Sequence, residues 1–255
     1  MLHFLRVRHQ QGTRTSPFPA GGTEFPARFR GRLAFDPSKC DGACPGCIER
    51  MPSAVLTRGP TGVEVDVGAS LFAPEEAAAC TNGALTFTQD HRLASRTRDG
   101  LVSEDGEVEL VTQLGARMRR LFGRSLRLRS VSAGSCNGCE AELVALGNVV
   151  FDMARFGVQF VASPRHADGL VITGAISANM RSAVLQTWEA TPAPRLVIAV
   201  GACAINGGPF RGSSEVSDGV PDDLPVDLWI PGCPPHPLTI LDGVLRLLGR
   251  LEDGS

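Results

Sequence analysis

Leu126-Arg127-Leu128-Arg129-Ser130-Val131-Ser132-Ala133-Gly134-Ser135-Cys136-Asn137-Gly138-Cys139-Glu140-Ala141-Glu142 is the stretch on which the fold turns. Residues 126–131 read as a β-strand, a glycine turn carrying two cysteines follows, and residues 140–156 read as a helix. The same design recurs twice downstream. The apolar run 196–200 leads into Gly201-Ala202-Cys203-Ala204, and the run 228–230 leads into Pro231-Gly232-Cys233-Pro234-Pro235. Between and after them, 158–161 and 169–173 read as strands, and 179–189 and 238–248 as helices. Alternating strands and helices imply an α/β architecture with a parallel sheet covered on both faces. Such sheets bind ligands beyond the carboxyl ends of their strands. Cys136, Cys203 and Cys233 all fall there, with Cys139 one helical turn beyond Cys136. Four thiolates gathered at one sheet edge can hold an iron–sulfur cluster.

The other four cysteines, Cys40, Cys44, Cys47 and Cys80, occupy the N-terminal half. Two-cluster ferredoxins use the run C-x2-C-x2-C-x3-C-P twice, and the fourth cysteine of each run serves the other cluster. Here Cys40-x3-Cys44-x2-Cys47-x3-Met51-Pro52 follows that run, with one extra residue in the first gap and methionine in the fourth place. Counting back from Cys80 in the same frame places Ser70, Ala73 and Glu76 where the second run's first three cysteines belong. These losses remove every ligand of one cluster and keep every ligand of the other. Residues 31–90 therefore read as a small ferredoxin-like α+β domain with a single 4Fe–4S cluster. Phe29-Arg30-Gly31-Arg32, Asp36-Pro37-Ser38-Lys39-Cys40 and Asn82-Gly83-Ala84-Leu85 resemble the flanks of bacterial-type ferredoxin modules in respiratory complexes. A four-cysteine zinc site is the alternative use of the same residues, and would make the chain a zinc-stabilised scaffold that moves no electrons.

The chain has 255 residues, a formal net charge of −2 and 43% hydrophobic residues. That suits one large or two smaller domains and excludes a general nucleic-acid binder. Residues 1–30 read as an irregular basic arm and 91–105 as a polar linker. Residues 107–122 read as an amphipathic helix carrying Val108, Val111, Leu114, Met118, Leu121 and Phe122, with the final domain over 123–250. Arg6, Arg8, Arg14, Arg28, Arg30 and Arg32 face only Glu24, and Arg117, Arg119, Arg120, Arg124, Arg127 and Arg129 face no acid within 112–130. These segments are either solvated basic faces or docking surfaces for an acidic subunit or anionic lipid. No apolar stretch reaches the length of a membrane span. The first residues lack a secretory apolar core, and the twin Arg119-Arg120 lies mid-chain. The expected location is the cytoplasm, where thiols stay reduced and cysteines at motif spacing favour metal over disulfides.

Gly123-Arg124-Ser125-Leu126, Ser135 through Glu142, Gly201-Ala202-Cys203-Ala204 and Pro231-Gly232-Cys233-Pro234-Pro235 together resemble one family. It is that of the cluster-bearing small subunits of energy-converting (group 4, formate-hydrogenlyase-like) nickel–iron hydrogenases. The family also includes the 20-kDa-type subunit of NADH:quinone oxidoreductase. The resemblance runs from about residue 121 to 248. It implies a flavodoxin-like domain whose 4Fe–4S cluster, on Cys136, Cys139, Cys203 and Cys233, lies closest to the active site of a large catalytic subunit. The quinone-reductase branch has adjacent cysteines where this chain has the spaced pair Cys136 and Cys139, which is the hydrogenase-branch form. The resemblance further implies partners among other iron–sulfur and membrane-arm subunits, and a peripheral place on the inner face of the membrane. With the N-terminal cluster, the expectation is an electron-transferring oxidoreductase subunit that is inactive alone. The alternative is the equivalent subunit of a quinone- or ferredoxin-linked, complex I-like enzyme without nickel.

Several further residues carry expectations. Gly134, Gly138, Gly201 and Gly232 are expected to let the backbone approach the cluster and donate N–H groups to its sulfurs. Pro234 stiffens the loop. Glu140 and Glu142 open a helix, where carboxylates favour the dipole, and Glu142 is also a candidate for proton transfer. His236 is read as a packing or surface histidine, with hydrogen-bonding to the cluster loop as the alternative. His3, His9, His91 and His166 sit in polar contexts. Gly207-Gly208-Pro209-Phe210 is a turn and not a phosphate loop, since no Lys-Ser/Thr follows.

Overall fold

The computed structural model describes residues 2–40, 45–59 and 62–251. Cys44 lies outside the described residues.

The N-terminal half begins with helix α1 (Leu2–Gln11), where an irregular arm was expected. Strands β1 (Leu33–Phe35) and β4 (Leu85–Phe87) pair antiparallel, with Leu33 opposite Phe87. Between them lie α2 (Pro45–Arg50), β2 (Leu56–Arg58), β3 (Val63–Asp66) and α3 (Pro74–Ala78). Strands β2, β3 and β5 (Val102–Ser103) form a three-stranded antiparallel sheet. Leu33, Val55, Val65, Val67 and Leu85 close a separate small core, joined by Cys47 and Cys80.

The residues expected to be a linker are built into the protein. Ser95 exchanges two backbone hydrogen bonds with Trp229, 3.0 and 2.8 Å long, and so covers the outer edge of the main sheet. An uncovered edge would offer unpaired N–H and C=O groups. The helix expected over 107–122 shortens to α4 (Ala116–Phe122). The preceding residues give their N–H groups to distant carbonyls instead: Glu109 to Gly100, Val111 to Ala94 and Leu114 to Leu247. Val111 and Leu114 are buried in the main core, so their apolar spacing serves an extended segment.

The C-terminal half follows β6 (Leu126–Ser132), α5 (Gly138–Ala145), β7 (Val158–Phe160), β8 (Gly169–Thr173), α6 (Ala178–Ala190), β9 (Leu196–Val200), α7 (Ala202–Asn206), β10 (Leu228–Ile230) and α8 (Pro237–Leu247). The five strands are parallel, in the order β10-β9-β8-β6-β7. Counted within this half, that is 2-1-3-4-5, the flavodoxin-like doubly wound order, with the strand order reversing between β6 and β8. Gly-Leu-Val-Ile-Thr of β8 and Leu-Val-Ile-Ala-Val of β9 are buried throughout, as central parallel strands require. The helix expected over 140–156 stops at Ala145. Asn148 then accepts the N–H groups of Val150 (2.8 Å) and Phe151 (3.1 Å), which turns the chain toward a short 3-10 turn at Met153–Phe156. Helix α8 is buried along its whole length, which its sequence Pro-Leu-Thr-Ile-Leu-Asp-Gly-Val-Leu-Arg-Leu permits because its two charges pair with each other.

Candidate functional site

Each cysteine of the C-terminal set leaves the carboxyl end of a strand. Cys136 stands exposed in the loop after β6, and Cys139 is the second residue of α5, buried. Cys203 is the second residue of α7, which follows β9 after Gly201, and Cys233 follows β10 in a loop whose Cys233–Pro234 peptide is cis. The main-chain turns at this edge need left-handed backbone: Asn137 has φ 69° and Gly201 φ 89°.

Three of these thiols are crowded by burial and by their neighbours. Burial, then the charges of Cys203, Glu140, Cys233 and Cys136, push the Cys139 thiol far up. Burial, then Cys233 and Cys136, push Cys203 to about 11. Burial, Cys136 and Glu76 raise Cys233. Thiolates are the metal-binding form. Three thiols that resist ionisation beside a fourth, exposed one are relieved by a positively charged iron–sulfur core, so this donor set fits a cluster. Among the described residues, no group of three or more His, Cys, Asp or Glu forms a site for a single metal ion.

The glycines divide into two kinds. A Cβ on Gly201 would lie 2.5 Å from Cys139 Sγ, one on Gly208 2.9 Å from Cys203 Sγ, and one on Gly138 3.5 Å from Cys136 Sγ. Gly134 and Gly232 serve loop closure: a Cβ there would meet Ser177 and Pro235. The expected donation to sulfur fails for Gly201, whose N–H goes to the Ile230 carbonyl, because the strand end claims it.

Glu140 does more than face the dipole of α5. Ser135 Oγ and Thr173 Oγ1 each donate to its Oε1 at 2.6 Å, tying the Cys136 loop to the end of β8. Burial alone would raise this carboxyl, but hydrogen bonds from Ser132, Ser135 and Thr173 hold it below its usual value. Glu142 is raised by burial. It lines a cleft of about 280 Å³ together with Arg28, Arg30, Cys233 and His236. His236 is a packing residue. Its Nδ1 accepts the Leu238 N–H at 3.1 Å, and its ring lies edge-on to Phe25, Phe29 and Phe151. His91, expected in a polar context, is half-buried against Phe18 and Phe25, and burial lowers it to about 4. Part of the basic surface is satisfied internally: Arg32 pairs with Glu107 at 2.7 Å, Arg30 donates to the Phe72 carbonyl, and Arg127 pairs with Asp168.

In the N-terminal half, Cys40, Cys47 and Cys80 line one small apolar cavity with Phe35, Ile48, Leu56, Val63 and Leu85. Ala84 N–H donates to Cys80 Sγ at 3.3 Å, and Arg50 Nη2 reaches Cys47 Sγ at 3.8 Å. Three sulfurs around an apolar cavity, one already receiving a backbone donor, are a donor set that fits an iron–sulfur group. Nothing local in the sequence marks the hydroxyls serving Glu140, Arg50 beside Cys47 or the buried carboxylate of Glu76. The only signal there was the appearance of Ser70 and Glu76 in cysteine places.

A family model described as "NADH ubiquinone oxidoreductase, 20 Kd subunit" matches residues 136–247. Formate hydrogenlyase subunit 7 of Escherichia coli (strain K12) is 42% identical over 160 residues, 63% of this chain and 63% of that protein. A probable membrane-bound hydrogenase subunit of Pyrococcus furiosus is 42% identical over 136 residues, 53% of this chain and 81% of that one. An NADH-quinone oxidoreductase subunit of Heliobacterium modesticaldum is 44% identical over 116 residues, 45% of this chain and 66% of that one. The chain thus spans less than two thirds of the formate hydrogenlyase and Heliobacterium subunits. The matched residues 136–247 run from the first of the C-terminal cysteines to the last turn of α8, and the chain belongs to the NADH-quinone oxidoreductase 20 kDa subunit family of oxidoreductase subunits, which joins complex I-like and hydrogenase complexes.

Proposed function

We propose that this chain is an electron-transfer subunit carrying two 4Fe–4S clusters in a multisubunit, formate-hydrogenlyase-like hydrogenase complex. The observation that carries this reading is the place of Cys136, Cys139, Cys203 and Cys233 just beyond the carboxyl ends of β6, β9 and β10 in one parallel sheet. These four would hold one cluster, and Cys40, Cys44, Cys47 and Cys80 the other, in a ferredoxin-like N-terminal domain. When bound, such clusters take up and release single electrons.

The chain's own residues keep this chemistry in place. Gly201 and Gly208 leave room for the Cys139 and Cys203 sulfurs. Glu140 braces the Cys136 loop through Ser135 and Thr173. Burial around Cys139 and Cys203 excludes water and so limits side reactions of the cluster. No helix among the described residues is long and apolar enough to cross a membrane. Membrane association would come through partner subunits, with a large catalytic subunit facing the exposed Cys136 loop. Glu142, raised by burial beside Cys233, is the residue through which a proton would pass at that interface.

Anaerobic iron and sulfide analysis with EPR tests the reading. About eight irons per chain are expected from two 4Fe–4S clusters. Cys203→Ser should remove one EPR signal and Cys80→Ser the other. Zinc in place of iron, or one substitution removing both signals, overturns it. The similarity to the NADH-quinone oxidoreductase subunit of Heliobacterium modesticaldum favours a second reading, a complex I-like enzyme without nickel. A co-purified large subunit with two C-x2-C pairs and nickel decides for hydrogenase, and their absence decides for the second reading.

A further inference from the structure

Four positions would ligate a second N-terminal cluster in a two-cluster ferredoxin frame: Met51, Ser70, Ala73 and Glu76. Their surroundings are not an empty shell. Glu76 is 0% exposed and Ser70 is 0% exposed. Ser70 Oγ donates to Glu76 Oε2 at 2.6 Å, while Ser53 Oγ at 2.5 Å and Leu71 N–H at 2.8 Å donate to Oε1. An N–H can only donate, and two hydroxyls complete the set, which is the arrangement of an accepting carboxylate. All three donors are neutral. Among the described residues no salt bridge reaches Glu76.

A charge buried without a cation is costly, and ordinary evolution of a plug would favour an apolar side chain there. The location explains why an anion matters. Residues 67–72, which run into this network, pack on the C-terminal site: a Cβ on Gly68 would lie 3.0 Å from Ile205 of α7, the helix that carries Cys203. Phe72 lines the same cleft as Cys233. Phe72 follows directly on Leu71, whose N–H donates to Glu76 Oε1 at 2.8 Å, so the carboxylate sits behind the wall of the cleft that Cys233 lines. The place of the missing cluster therefore lies against the remaining C-terminal one.

We propose that Ser53, Ser70 and Glu76 fill the position of a lost cluster, and that the Glu76 carboxylate is a fixed anion lowering the reduction potential of the C-terminal cluster. Net charge near a cluster is one of the terms that set its potential, and a buried anion opposes the arrival of an electron. The inference rests on the two-cluster reading above. Glu76 acts through the field at Cys233 and is a positioning residue, not a catalytic one.

The test is an EPR-monitored redox titration of the full chain, with the C-terminal signal identified as the one missing in Cys203→Ser. Glu76→Gln keeps the shape and removes the charge. It should shift the midpoint of the C-terminal signal upward, with iron content and the N-terminal midpoint unchanged, while Glu76→Asp stays close to the original value. An unchanged C-terminal midpoint in Glu76→Gln overturns the inference and leaves the two-cluster reading standing. Absence of any C-terminal signal in the unsubstituted chain overturns that reading, and the inference with it. If Glu76→Gln does not fold, Glu76→Met removes the same charge with an apolar side chain. Failure of both to hold two clusters assigns Glu76 a purely structural role and overturns the proposal.

Discussion

Gly201 lies so close to Cys139 that a Cβ added to the glycine would stand 2.5 Å from the cysteine sulfur, and its φ of 89° is one that side chains resist. The turn after β9 is thereby matched to the helix after β6. Gly201→Ala should cost about 1–3 kcal/mol from this glycine-only backbone conformation alone, and must also displace Cys139. With the two clusters proposed above, the expected result is about half the iron of the unsubstituted chain, the N-terminal EPR signal retained and a lower melting temperature. Gly22→Ala, with open space around the added atom, is the control and should change neither.

Asp242 and Arg246 pair at 3.0 Å inside α8, with side chains 3% and 2% exposed. Burial raises the Asp242 carboxyl, and Arg246 and Arg92 oppose that rise. Asp242→Ala leaves the Arg246 guanidinium without this carboxylate and should destabilise the protein by about 3–5 kcal/mol. Chemical denaturation measures it. A loss below about 1 kcal/mol would mean that the pair behaves like a surface one.

Thr173 and Ser135 share one oxygen of Glu140. Thr173→Val keeps the size and removes a donor, at a cost of about 1–3 kcal/mol. Because both donors serve one carboxylate, the Thr173→Val, Ser135→Ala pair should depart from additivity. Thermal melting of the two single variants and the double variant reads the coupling, and strict additivity would contradict the shared anchor.

His91 is lowered to about 4 by burial, with Asp90 opposing the shift and Arg92 adding to it. The unfolded chain therefore binds a proton near pH 6.5 that the folded chain refuses until about pH 4. Stability should fall as pH drops through that window, since the unfolded state takes up more protons there. His91→Phe keeps an aromatic ring beside Phe18 and Phe25. Its melting temperature should decline less than that of the unsubstituted chain between those two pH values. Equal slopes would contradict the assignment.

Arg50 Nη2 lies 3.8 Å from Cys47 Sγ. A cation there would favour an added electron on the proposed N-terminal cluster, opposite in sign to the role proposed for Glu76. Arg50→Met should shift the N-terminal midpoint potential downward and leave the C-terminal one in place, read by the same redox titration.

The C-terminal sheet was legible because its signals are local. Buried parallel strands such as Leu196–Val200 and Gly169–Thr173 are continuous apolar runs, and the structure places both where the pattern did. Residues 107–115 misled for a physical reason: Val111 and Leu114 have helical spacing, yet their N–H groups go to Ala94 and Leu247. Tertiary bonds outweighed a weak helical preference. The linker failed likewise, since nothing near Ser95 announces that Trp229 will pair with it.

By itself, the order of residues determined that Cys136, Cys139, Cys203 and Cys233 would follow strands, because strand ends and turn glycines are written within a few positions of one another. Only the folded chain decided that Glu76 would be sealed among Ser53, Ser70 and Leu71, that Thr173 would brace Glu140 and that Ser95 would close the sheet edge. Those outcomes depend on which distant segments share a buried environment, where an unpartnered polar group is too costly to leave alone.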